Sequence, residues 1–136
     1  MADISLQTLY EQKSREFNVQ GAGLTRFESD FLNATNRAIN RINRDADLED
    51  EISAVSGIED TVTGLDEEYE DVLSDGISLY LCFAGQRPAK GAETQVGLLE
   101  ARFVEGISSI FYKIINDVQN EDSDDETSII GLGALG

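Results

Sequence analysis

Apolar residues recur along this chain with a helical period in four stretches and lose that period in one. Leu6, Leu9, Tyr10 and Phe17 share a face, so a first helix is expected from a cap at Asp3 to about Phe17. Gly21-Ala22-Gly23 breaks it, and Thr25-Arg26-Phe27-Glu28 reads as a capping box opening a second helix. There Phe27, Phe31, Ala34, Thr35, Ala38 and Ile42 fall within a narrow arc. Asn33, Asn36, Asn40 and Asn43 take the opposite arc, and Arg37, Arg41 and Arg44 form a separate stripe.

From Glu51 to Val62 the period disappears. β-Branched residues around Gly57 predict a short hairpin or an extended arm, which needs a surface to lean on because isolated strands bury little. Asp66 is placed to cap a third helix, with Glu67, Glu68, Glu70 and Asp71 at the positive end of its dipole. The second half of that helix, Ile77 to Ala84, is apolar on nearly every side and is expected to be central; Gly85 and Pro88 end it, and Gly91 completes the turn. A fourth helix from about Ala92 to Val118 carries Val96, Leu99, Phe103, Ile107, Ile110, Ile114 and Val118 on one stripe, flanked by Val104, Phe111 and Ile115. The expected fold is therefore mainly α: a four-helix bundle with a short extended or β-hairpin excursion (about 51–63) between helices 2 and 3, and an extended C-terminal tail. Residues 1–118 form the helical domain. Residues 119–136 read as a flexible acidic tether ending in an apolar docking segment, Ile129, Ile130, Leu132 and Leu135.

Charge changes the picture more than composition does. The 136 residues hold 27 acids against 10 bases, a net charge of −17, distributed unevenly. Residues 1–44 and 76–118 are nearly neutral, whereas 45–75 carry thirteen acids and no base and 119–136 carry five acids and no base. A grip on nucleic acid through phosphate neutralisation is disfavoured by that balance. The absence of histidine removes a catalytic imidazole and a Cys/His zinc cluster, and a single cysteine, Cys82, removes an intrachain disulfide. Asp45-Ala46-Asp47-Leu48-Glu49-Asp50 starts like a calcium loop, but Asp50 stands where the turn needs glycine and Ser56 where a bidentate glutamate is needed. The turn holding Lys90 has the wrong order for a phosphate-cradling loop, and Asn33-Ala34-Thr35 is a glycosylation triplet in mid-helix. Cys82 reads as a small buried hydrophobe. No enzyme, cofactor or metal is expected. No run is apolar enough for a bilayer and Met1-Ala2-Asp3-Ile4 lacks signal-peptide character, so synthesis in the cytoplasm is expected.

One family fits this arrangement of helices. Phe31-Leu32-Asn33-Ala34-Thr35-Asn36-Arg37-Ala38-Ile39-Asn40-Arg41-Ile42-Asn43, an extended segment, then Gly64-Leu65-Asp66-Glu67-Glu68-Tyr69-Glu70-Asp71-Val72-Leu73 leading into an apolar helix and a last long one, resembles the head–tail connector (adaptor) proteins of tailed bacteriophages. The likeness spans roughly residues 24–118, and Asp66 stands where proline is common in that family. It implies a virion protein of the neck: a homo-oligomeric ring, usually dodecameric, bound below the portal protein, lining the DNA exit channel and offering a site to a tail or neck protein. On that reading Arg37, Arg41 and Arg44 of one subunit meet Asp45, Asp47 and Glu49 of the next. Asp50, Glu51, Glu59 and Asp60 line the channel, where DNA passes without specific binding, and residues 127–136 dock on the portal or tail. The rival from another class is a small acidic inhibitor that mimics DNA, working as a monomer or dimer with carboxylates on a rigid surface.

Overall fold

The structure is a computed structural model that describes residues 3–19, 21, 23–88 and 96–126, the last eight as backbone only. It is mainly helical, with four helices and a small two-stranded antiparallel sheet. Strand β1 (Ile4–Ser5) leads directly into α1 (Leu6–Glu16), and α2 spans Gly23–Asp45. Strand β2 (Thr61–Val62) follows the excursion, a single 3₁₀ turn (Glu67–Tyr69) enters α3 (Glu70–Phe83), and α4 runs Val96–Glu126.

The central position expected for the third helix holds: α3 packs against α2 on one side and α4 on the other, with Leu73, Ile77, Leu79 and Leu81 fully buried. Gly76 explains how three helices meet there. A Cβ at this position would lie 2.6 Å from the Phe103 ring and 2.9 Å from the Ala38 Cβ, so only hydrogen lets α2 and α4 close on α3. The arc on α2 is the one expected, since Phe27, Phe31, Ala34, Thr35, Ala38 and Ile42 are all buried.

Helix ends depart from expectation at three places. Ser5, not Asp3, caps α1, accepting from the Thr8 N–H at 3.3 Å, because Ile4 and Ser5 are drawn into the sheet opposite Val62 and Thr61. Ile4 and Val62 are buried there, which settles the choice. Thr25 is no cap either: α2 starts at Gly23 and Thr25 lies exposed in its first turn. Asp66 caps the 3₁₀ turn that enters α3, accepting from the Glu68 N–H at 3.2 Å, and not α3 itself, which starts after Tyr69 without a side-chain cap. Helix α3 stops in a left-handed residue, Gly85 (φ 98°), with Gln86 N–H donating to the Leu81 carbonyl and Gly85 N–H to that of Cys82. The same closure ends α1 at Asn18 (φ 53°) and α2 at Asp47 (φ 54°), residues that tolerate this conformation better than most.

The fourth helix is longer than expected. Residues 92–95 and Gly91 lie outside the described residues, but the backbone from Gln119 to Glu126, anticipated as a flexible tether, continues α4. Between Gly106 and Gly131 there is neither glycine nor proline to stop it. Its stripe is buried only in part: Leu99, Phe103, Ile107 and Ile110 face the core, whereas Ile114 is 37% and Val118 51% exposed. The helix has run off the end of the bundle.

Candidate interaction surfaces

Residues 51–62 form an extended arm and not a self-paired hairpin; their strand partner is β1 of the same chain. Between the strands, the surface the arm leans on is α2, and two asparagines hold it. Asn43 Nδ2 donates to the Ile52 carbonyl at 3.0 Å while its Oδ1 accepts from the Ile52 N–H at 2.8 Å. Three residues further along the arm, Asn36 repeats the arrangement with Val55, at 2.9 and 2.8 Å. Seven residues apart on one helix, the two amides present to the arm the donor–acceptor pairs a neighbouring strand would supply. Asn33 and Asn40 stay exposed, so the asparagine arc divides between a clamp and open surface. The arm turns at Ser56–Asp60, where the Asp60 carboxylate accepts from the Ser56 and Gly57 N–H groups at 2.7 and 3.1 Å and is held below the usual carboxylate range by them.

The arginine stripe is likewise divided. Arg41 makes a two-pronged bond to Glu100 on α4, at 3.1 and 2.6 Å, and approaches the Tyr80 hydroxyl at 3.4 Å. Its charge is thus committed within the chain; the pair lowers the Glu100 pKa and raises that of Arg41. Arg37 stacks over the Tyr80 ring, 4.4 Å from its centroid, with its charge open to solvent. Arg44 reaches the adjacent Asp45 at 2.8 Å and is otherwise exposed.

None of the thirteen acids of 45–75 is buried, and among the described residues only Asp45 lies within ion-pair distance of a cation. Asp47 occupies the left-handed end of α2, and Asp45 is turned to the arginines, so the calcium-like spacing does not converge; among the described residues no three ligating side chains gather. Glu49, Asp50, Glu51 and Glu59 are exposed, while Asp60 serves its turn. Asp75 is the exception to simple solvation: partial burial pushes its carboxyl upward, with Arg102 and Lys13 opposing. Cys82 is buried, and desolvation raises its thiol. Thr35 is buried, its hydroxyl donating to the Phe31 carbonyl at 2.8 Å. Lys90 and the docking residues Ile129, Ile130, Leu132 and Leu135 lie outside the described residues.

Two further features were not singled out in the sequence. A groove of about 440 Å³ opens between α4 and the loops at 48–50 and 64–66, floored by Leu48, Leu65, Tyr69, Ile110 and Ile114 and rimmed by Glu49, Asp50, Asp66 and Asp117. At the other end of α3, Phe83 is 55% exposed beside Tyr80, with ring centroids 5.7 Å apart. A phenylalanine as last helical residue before Gly85 was the available signal; the groove joins segments far apart in sequence and had none. No described helix is long and apolar enough to cross a membrane. Compared with protein-family models, curated proteins and solved structures, the chain matches none.

Proposed function

We propose that this chain is the subunit of a head–tail connector ring in a tailed bacteriophage, seated below the portal in the virion neck and without enzymatic activity. The observation that supports this reading is the separation of scaffold from charge. The two nearly neutral segments, 1–44 and 76–118, use cations internally, at Arg41–Glu100 and Lys13–Glu16, while the carboxylates of the 45–71 stretch lie on the surface. In a ring, Glu51 and Glu59 face the lumen and repel passing phosphates over about a Debye length, ~8 Å at physiological salt. A channel that releases DNA must not hold it. Exposed Arg37 and Arg44 are the cations of the stripe left for a neighbour's Asp47 and Glu49, with Asp45 shared; heterologous contacts of that kind close rings. Residues 127–136 dock on the portal or a tail protein, with Ile129, Ile130, Leu132 and Leu135 as the docking residues.

Portal binding tests the reading directly. The full chain is expected to be retained by assembled portal protein, and deletion of 127–136 to abolish retention without unfolding the bundle. Competition with DNA for a DNA-binding protein by a compact monomer would instead select the DNA-mimic reading.

A further inference from the structure

We propose that copies of this chain join head to tail, Phe83 of one copy seating in the groove floored by Leu48, Leu65, Tyr69 and Ile114 of the next. The inference rests on the ring reading above and names its self-contact. The two surfaces match in shape class and in charge. Phe83 is exposed at the end of α3 beside Tyr80, on which exposed Arg37 stacks, and exposed Arg87 follows in the same turn, two residues past the helix-ending Gly85. The groove offers an apolar floor inside a rim of carboxylates, Glu49, Asp50, Asp66 and Asp117; among the described residues lining it the one cation, Lys113, is paired with Asp117 at 3.5 Å. An exposed aromatic accompanied by guanidinium groups and an apolar cleft flanked by carboxylates are complementary anchors.

Geometry forbids the two from meeting within one copy. The groove adjoins Tyr69, at the start of α3, and Phe83 ends that helix, so fourteen helical residues place them about 20 Å apart at opposite ends of the bundle. A knob and a socket on opposite ends make a heterologous contact, which propagates from copy to copy and closes a ring where the rotation permits. The occupant is thus a second copy, and the chain's own residues 127–136, preceded by a run of acids and holding no base, are poorly matched to a carboxylate rim.

The experiment mixes two blocked variants of the full chain. Phe83→Glu removes the knob and keeps the socket; Ile114→Glu blocks the socket and keeps the knob. Both positions are partly exposed, so both variants are expected to give the wild-type helical circular dichroism. Measured by sedimentation, the wild type is expected to assemble, each variant alone to stay monomeric, and the mixture to yield a two-chain species and nothing larger. A second pair reads the rim alone. Arg37→Glu with Arg87→Glu, and Glu49→Lys with Asp50→Lys, are each expected to lose assembly and to regain full size when mixed. Variants that assemble like the wild type would overturn this contact and leave the ring reading standing. A wild type that stays monomeric both free and on the portal would overturn both.

Discussion

Replacing Asn43 by alanine removes both bonds that hold Ile52 to α2. Asn43 is 8% and Ile52 3% exposed, so the freed Ile52 N–H and C=O stay largely shielded from water. Each buried group left unsatisfied costs roughly 1–3 kcal/mol, and water entering the space left by the amide offsets part of that. The expected loss is about 2–4 kcal/mol, a large share of the ~5–15 kcal/mol typical of a whole domain. Asn36→Ala, at a half-buried site, should cost about 1 kcal/mol, and the double variant less than the sum because both side chains hold one arm. Urea unfolding followed by circular dichroism measures the loss, and amide exchange at Ile52 and Val55 shows where it falls. Asn43→Asp separates bonding from shape. Its carboxylate still accepts from the Ile52 N–H but opposes the Ile52 carbonyl, whereas the protonated acid can donate to that carbonyl. This variant should therefore be weak at neutral pH and recover on acidification relative to Asn43→Ala. A loss below about 0.5 kcal/mol for Asn43→Ala, within the range of ordinary surface changes, would refute the clamp.

Three other outcomes follow from the packing and charge. Gly76→Ala should destabilise by at least about 1–3 kcal/mol in the same unfolding assay, because the added methyl meets the Phe103 ring and Ala38 at once. Glu100→Gln should cost about 1 kcal/mol, with the loss shrinking at high salt, since one partner is 18% and the other 42% exposed. Because Arg41 lowers the Glu100 pKa, the pair's contribution is present above the unfolded carboxylate range and disappears as pH falls through the lower folded value. Asp75 has the opposite sign: burial raises its folded pKa, so ionisation at neutral pH works against folding. Asp75→Asn should stabilise at pH 7 and lose that advantage at pH values where the wild-type carboxyl is already protonated, as read from melting curves across pH.

What could be read from the sequence was whatever depended on one helix at a time. The buried arc of α2 and the all-round burial of α3 follow from side-chain period and hydropathy, which act locally. The choice of Ser5 over Asp3 as a cap did not, because it is made by a strand partner nearly sixty residues away. Asn36 and Asn43 look like Asn33 and Asn40 until the arm is laid across α2; only the tertiary approach tells a clamp from open surface. Arg41 differs from Arg37 for the same reason, since Glu100 arrives on another helix. The helical backbone of 119–126 shows the reverse failure: an acidic composition suggested a flexible tether, yet nothing in the run interrupts a helix already begun.

The central claim is that a helical scaffold with exposed carboxylates serves assembly around passing DNA. Negative-stain electron microscopy of the purified full chain, free and bound to portal protein, tests it most directly. Closed rings with an open centre, at least on the portal, are the result this account predicts. Single compact particles under both conditions would contradict it.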